Sequence, residues 1–306
     1  MPLKTLPPPR YYIYLDAVAR CGSIRKAAEQ LHVASTALNR KINELEDNIG
    51  TPLFERLPRG VRLTAAGEVL LATVRKGMSD LRAAVSQIEH LRGQVRGTVR
   101  IGGAESVSSD LIPRSIAKYQ AAHAGVQFHV VTGVTESLIK LLLNDDVDLI
   151  LVHEPPASDQ LVMLASIVQP LCAVMRPDHE LASRAVLRIA DCQKYPLALS
   201  DTSFASRRLI DSIAAKSSIG VHITLQASTI HSLKEFAKAS NAICFQFKIG
   251  TLAEVTRGEL VAIPLADRAL SNTRLSIVCR AGRVLPVAPQ AFAKTLEQML
   301  EHAATQ

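Results

Sequence analysis

Two short helices joined by a tight turn constrain this chain more than any other feature. Ser23 stands where a helix N-cap belongs, and Ala27, Ala28 and Leu31 follow as a small apolar face that lets another helix approach closely. His32-Val33 is the turn. From Ser35 or Thr36 to about Ile49, the residues Ala37, Leu38, Ile42, Leu45 and Ile49 recur at helical spacing and predict a core face. The opposite face carries Ser35, Thr36, Asn39, Arg40 and Asn43, side chains able to donate to base edges and phosphates. A helix pair whose second member is polar outward predicts a helix-turn-helix, with duplex DNA as its partner.

The flanks agree. Tyr11, Tyr14, Leu15 and Val18 predict a helix over Arg10 to Arg20, closed by Cys21-Gly22. Gly50-Thr51-Pro52 stops the third helix. Leu53-Phe54 and Val61-Arg62-Leu63 then predict two short strands around Pro58-Arg59-Gly60, a wing offering Arg56, Arg59 and Arg62 to phosphates or a minor groove. Charge is concentrated in the same region. Residues 1–97 hold fifteen Lys/Arg against nine Asp/Glu, so +6 of the chain's +7 lies there, as phosphate neutralisation favours.

The stretch GSIRKAAEQLHVASTALNRKINELEDNIGTPLFERLPRGVRLTAAGE resembles the LysR-type transcriptional regulators. The resemblance rests on Ala27-Ala28, Leu31, Ala37-Leu38, Arg40, Ile42, Leu45-Glu46, Gly50, Pro52-Leu53-Phe54, Arg56, Leu63-Thr64 and Ala66-Gly67. It implies DNA contacts from Ser23, Arg25, Lys26, Ser35, Thr36, Asn39, Arg40, Arg59 and Arg62. This chain departs from the family where Ala34-Ser35-Thr36 replaces Ser-Gln-Pro or Ser-Gln-Ser, and where Asn39 replaces a serine. Arg25-Lys26 is more basic than the usual Thr-Arg. Asn39 is therefore expected to supply adenine-directed contacts, and no operator sequence carries over from relatives.

Thr64 can cap a long helix to about Arg92. Val74, Leu81 and Ile88 stand seven apart, with Gly77, Ala84 and Leu91 as a companion series and Met78 and Val85 alongside. Such a stripe must be buried, and a partner chain is the expected cover. The family resemblance implies a homodimer or homotetramer.

Beyond a linker at Arg92–Gly97, strands at Val99–Gly102, Val126–Val131 and Val147–Val152 alternate with helices at Leu111–Ala122 and Thr135–Asn144. A second lobe starts near Ile167, with strands at Leu171–Met175, Leu197–Leu199, Ile223–Leu225 and Ala242–Gln246 and helices at Phe204–Ser217 and Thr229–Ala239. Leu275–Cys279 and Pro289–Ala303 return to the first lobe. The expected fold class is α/β behind an all-α, winged N-terminal domain. In order these are a winged helix-turn-helix (1–67), a linker helix (68–96) and a two-lobed sensor resembling periplasmic binding proteins (97–306). Lobe I takes about 97–166 and 267–306, and lobe II about 167–266.

In open parallel sheets ligands bind beyond the carboxyl ends of strands. This selects Ser106, Thr132, Gly133, Thr135, Ser200, Thr202 and Ser203 as effector contacts, Ser106 also by its alignment with a pocket serine or threonine of relatives. Hydroxyls at helix starts favour an anion, so a small carboxylate is the expected effector. Relatives often have glycines where Ser240 and Ala242 stand, so two readings stay open: a live sensor pocket or a vestigial one. Asp145, Asp146 and Asp148 are expected to form a solvated turn.

Other classes find little support. G-x-G-x-x-G, G-K-[ST], H-E-x-x-H and G-x-S-x-G are absent, so no catalytic residue, cofactor or metal site is expected. Cys21, Cys172, Cys192, Cys244 and Cys279 are scattered and expected to be reduced. No stretch is apolar enough for a membrane span, and the first ten residues lack a signal-peptide core, so the expected compartment is the cytoplasm. A solute-binding protein is the remaining alternative. The expected partners are promoter or operator DNA, a small effector, another copy of the chain and RNA polymerase.

Overall fold

The computed structural model describes residues 8–91, 95–217 and 222–305. The chain divides into two compact units, Met1–Arg82 and Ala83–Gln306. The expected linker at Arg92–Gly97 falls partly on residues 92–94, outside the described residues.

The first unit holds α1 (Pro9–Cys21), α2 (Ile24–Gln30), α3 (Ser35–Ile49), β1 (Phe54–Leu57), β2 (Gly60–Leu63) and the start of α4 (Ala65–Leu91). Gly22 ends α1 at φ 59°, and the Ser23 hydroxyl accepts the Lys26 N–H to start α2. Leu15, Val18, Ala27, Leu38, Ile42, Leu45 and Leu53 form a buried core. Ala37 is exposed, contrary to the core position expected for it, because α3 turns Leu38 rather than Ala37 inward. The hairpin is docked through Gly60, at φ 111°, where a Cβ would stand 2.2 Å from Gly22 O. Gly67 is needed for the same reason, with Leu53 O at 2.1 Å from the atom an alanine would add.

The second unit runs β3 (Gly97–Gly103), α5 (Glu105–Ser108), α6 (Leu111–Ala122), β4 (Val126–Thr132), α7 (Thr135–Leu143), β5 (Leu149–His153) and β6 (Leu161–Val168). It continues through β7 (Leu171–Met175), α8 (Ile189–Cys192), β8 (Leu197–Ser200), α9 (Ala205–Ser217), β9 (Ile223–Ala227), α10 (Ile230–Ala239) and β10 (Ile243–Phe247). A 3-10 turn at Lys248–Thr251, α11 (Leu252–Thr256), β11 (Val261–Pro264), α12 (Arg268–Ser271), β12 (Arg274–Arg280) and α13 (Val287–Thr305) complete it.

Among the described residues two five-stranded sheets form, ordered β4-β3-β5-β12-β6 and β11-β7-β10-β8-β9. Each is a mixed sheet. In the first, β3 pairs in parallel with β4 and β5, whereas β12 is antiparallel to β5 and β6. In the second, β10 is parallel to β8 and antiparallel to β7. The chain crosses between sheets after Val168 and returns before Arg274, which makes two lobes. Phe292, Tyr119 and Phe128 pack edge to face in the first lobe's core.

Three local expectations are corrected. Residues 105–108, for which no element is expected, form the short helix α5, and β6 and β11 are strands beyond those expected. Asp145 and Asp148 are not solvated: both are buried, with Asp148 paired to Arg100 and Arg283 and Asp145 to Arg280 and Arg283. Arg283 is itself fully buried, so the network gathers β3, the α7–β5 turn and the end of β12 around one desolvated cluster.

Candidate functional site

The outward face of α3 is exposed at Ser35, Thr36, Arg40 and Asn43, and Asn39 is half-buried. Arg40 is 71% exposed and lies 3.6 Å from Glu44 one turn on. The helix is held in place from its inner side. Glu46 accepts the backbone N–H groups of Leu53 and Phe54 at 2.7 and 2.9 Å, tying α3 to the wing. Tyr11 of α1 donates to Glu44, and Lys41 donates to both, so their mutual hydrogen bonds lower the Glu44 carboxyl and raise the Lys41 amine.

The remaining residues expected to face DNA are scattered around this helix. Arg25 and Lys26 are exposed on α2, with Arg25 paired to Glu29, while the Ser23 hydroxyl is engaged as a cap. Arg59 is exposed at the hairpin tip, and Arg62 is held by Glu55 at 2.7 Å. Arg56, expected with them as a phosphate contact, donates to Asn39 Oδ1 at 2.8 Å and Asn43 Oδ1 at 2.9 Å. The hairpin and the outward face of α3 are thus joined by side-chain hydrogen bonds.

The second candidate site lies between the lobes of the second unit. Ser106, Gly133 and Thr135, three of the residues expected to contact an effector, line a small cavity there, together with Glu105, His153, Phe204, Ser206, Ile230, Gln246 and Phe247. Thr132, Thr202 and Ser203 do not line it, and Ser200 is buried beneath Ser206, 3.4 Å away. Past β8 it is Phe204, just before α9, and Ala205 and Ser206 in the first turn of α9 that reach the cavity.

His153 also lines this cavity; it is the last residue of β5, a strand end, but carries no hydroxyl at a helix start to mark it. Its Nε2 lies 2.8 Å from Ser106 Oγ, and its ring stacks on Phe247 of the opposite lobe with centroids 3.6 Å apart. Thr135 donates to its carbonyl. Burial without a counter-charge pushes the imidazole down to about 3, so it is neutral at physiological pH. Its Nδ1 and the Nε2 of buried Gln246 have no hydrogen-bond partner among the described residues. Such orphaned polar groups are uncommon in folded proteins and call for an explanation.

The cavity measures about 30 Å³, room for little more than a water. A larger one of about 320 Å³ shares Glu105, Ser106 and Ile230 with it as a common wall. Within that wall the Ile230 N–H, first of α10, donates to the Glu105 carboxylate at 2.8 Å. Lys234, His231 and Arg257 lie beyond it with Glu254 and Asp110.

Among the described residues no group of three His, Cys, Asp or Glu side chains is placed to hold a metal ion, and no helix is long and apolar enough to cross a membrane.

Comparison with known proteins covers both units. Residues 10–68 match the bacterial regulatory helix-turn-helix protein, lysR family, and residues 92–301 match the LysR substrate binding domain. The chain is 30% identical over 284 residues to an SDS degradation transcriptional activation protein of Pseudomonas sp., covering 90% of this chain and 91% of that one. It is 30% identical over 224 residues to a RuBisCO operon transcriptional regulator of Allochromatium vinosum, covering 73% and 74%. A full-length OxyR variant from Pseudomonas aeruginosa shares the fold with a TM-score of 0.74 at 18% identity, over 97% of this chain and 95% of that one. Full-length CbnR complexed with its target DNA gives 0.58 at 17% identity, over 96% and 100%.

Proposed function

The chain belongs to the LysR family of bacterial transcriptional regulators, and from that membership we propose how its two sites divide the work. It is a DNA-binding regulator with an effector-binding domain, not an enzyme. Helix α3 enters the major groove, with Ser35, Thr36, Asn39 and Arg40 toward base edges and phosphates. Ser23, Arg25, Lys26, Arg59 and Arg62 flank it along the backbone. The regulator acts in the cytoplasm, where the chromosome and RNA polymerase are.

The exposed stripe on α4 supports pairing with a second copy. Leu81, Val85, Ile88 and Leu91 are 64%, 54%, 55% and 86% exposed, and with Val74 and Met78 they follow three-four spacing. Pairing these helices in a homodimer, or in a homotetramer of such pairs, covers the stripe and places two copies of α3 on one duplex.

The effector is a small carboxylate held between the lobes. The observation that carries this is the pair of buried, unpartnered groups lining the cavity, Gln246 Nε2 and His153 Nδ1. A carboxylate accepts from the Gln246 amide. In displacing Glu105 from the Ile230 N–H it would also join the small cavity to the larger one, whose volume lies in the range of about 300–1,000 Å³ usual for ligand sites. Parting the lobes in this way gives the ligand unequal affinity for two states, the condition for control of DNA binding.

The test is a melting-temperature screen of the full chain against small carboxylates. A concentration-dependent rise that Gln246→Leu removes supports the cleft. No rise with any carboxylate favours the second reading, a DNA-binding regulator whose pocket is vestigial, for which the substituted Ser240 and Ala242 loop speaks.

A further inference from the structure

Glu105 is the one charged side chain lining the small cavity between the lobes. Among the described residues no lysine or arginine reaches that cavity, and burial keeps the His153 imidazole neutral. A carboxylate entering alone would stand beside a second anion in a desolvated cleft, with no cation to offset the repulsion. The larger cavity next to it offers little relief. Its Lys234 Nζ already donates to Glu254 Oε1 at 2.7 Å, its Arg257 Nε to Glu259 Oε1 at 2.6 Å, and its His231 is exposed. The orphaned atom there is an acceptor: Glu254 Oε2 is buried without a hydrogen-bond partner among the described residues.

We propose that the effector is an α-amino acid, and that Glu105 binds its ammonium group. The wall shared by the two cavities holds a donor and an acceptor side by side. The Ile230 N–H at the start of α10 and the Glu105 carboxylate at the start of α5 are joined at 2.8 Å. Gln246 Nε2, in a side chain only 2% exposed, is a second and unpartnered donor lining the same space. An α-amino acid carries the complementary pair on one carbon. Its carboxylate accepts from the Ile230 N–H and the Gln246 amide, where the N-terminus of α10 favours an anion. Its ammonium donates to Glu105, which the carboxylate has displaced, so charge is balanced inside the cleft. The ligand's own side chain extends into the larger cavity. The inference rests on reading the cleft as a carboxylate-binding effector site, and it narrows that carboxylate to one bearing an amine.

Calorimetric titration and melting-temperature shifts of the full chain test this with two series of probes. One is the common L-amino acids. The other is the acids of the same carbon skeleton without the amine, such as propionate beside L-alanine and succinate beside L-aspartate. At least one amino acid is expected to bind about tenfold or more tightly than its amine-free counterpart and to raise Tm with concentration. Glu105→Gln keeps an oxygen for the Ile230 N–H but loses the charge. It is expected to weaken that amino acid about tenfold or more and to tighten the amine-free acid, a reversal that a merely structural role for Glu105 does not produce. Amine-free acids that bind the wild type as tightly as the amino acids overturn the proposal and leave the cleft as a carboxylate site. A folded Glu105→Gln protein that binds its amino acid unchanged also overturns it. If neither series binds, the carboxylate reading of the cleft fails, and the proposal with it. Circular dichroism shows whether the variant folds; where it does not, the two series on the wild type decide.

Discussion

Ser106 and His153, forty-seven residues apart, share a buried hydrogen bond of 2.8 Å at the point where the lobes meet. The imidazole has no carboxylate beside it, and desolvation keeps it neutral down to about pH 3. In the unfolded chain it takes up a proton near pH 6.5. The unfolded state thus binds the additional proton between those values, and stability falls as pH drops from about 6.5 toward 3, by roughly 1 kcal/mol per pH unit. Urea unfolding of wild type and His153→Gln at pH 7 and pH 5 checks this. The wild type should lose more stability than the variant over that interval, and equal losses would mean His153 titrates normally.

The cysteines divide by burial. Cys172, Cys192 and Cys244 are buried, and desolvation pushes their thiols up to about 12, while Cys279 is also buried and raised. Cys21 is partly exposed. A chromogenic disulfide reagent should therefore titrate one thiol per native chain quickly, and Cys21→Ser should remove it. A second fast thiol in the native protein would contradict this burial pattern.

The Arg100–Asp148–Arg283–Asp145–Arg280 cluster should be sensitive to losing a single charge. Asp148→Ala leaves buried Arg283 with part of its charge uncompensated, and is expected to cost about 3 kcal/mol or more. Asp110→Ala, which removes an exposed partner of Arg114, should cost under about 1 kcal/mol. Guanidinium unfolding followed by circular dichroism compares them, and equal midpoints would show that the buried cluster contributes nothing.

How much of the fold and the sites is legible in the sequence depends on the range over which each signal acts. Periodicity places α3 and gives α6 its bounds at Leu111 and Ala122, because one face of each helix is apolar. It misses β6, an edge strand that alternates poorly and leaves Val162, Met163 and Leu164 exposed. Strand ends point to Ser106, Gly133 and Thr135, which line the cavity between the lobes. His153 closes β5 and Gln246 stands one residue before the end of β10, but neither carries the hydroxyl at a helix start by which the other segments are picked out. The Asp145–Asp148 turn reads as solvated because its partners Arg280 and Arg283 lie 135 residues away, farther than any local pattern reaches.

The central claim is that α3 reads DNA, and Arg40 tests it most directly. Arg40 is exposed on α3 and makes only a loose contact with Glu44, so its removal spares the core. The decisive measurement is equilibrium binding of wild type and Arg40→Ala to a site selected by the wild-type protein, at fixed salt, with melting temperatures alongside. With α3 in the groove, Arg40→Ala binds about tenfold or more weakly while its melting temperature is unchanged. Wild-type affinity in the folded variant would contradict that claim.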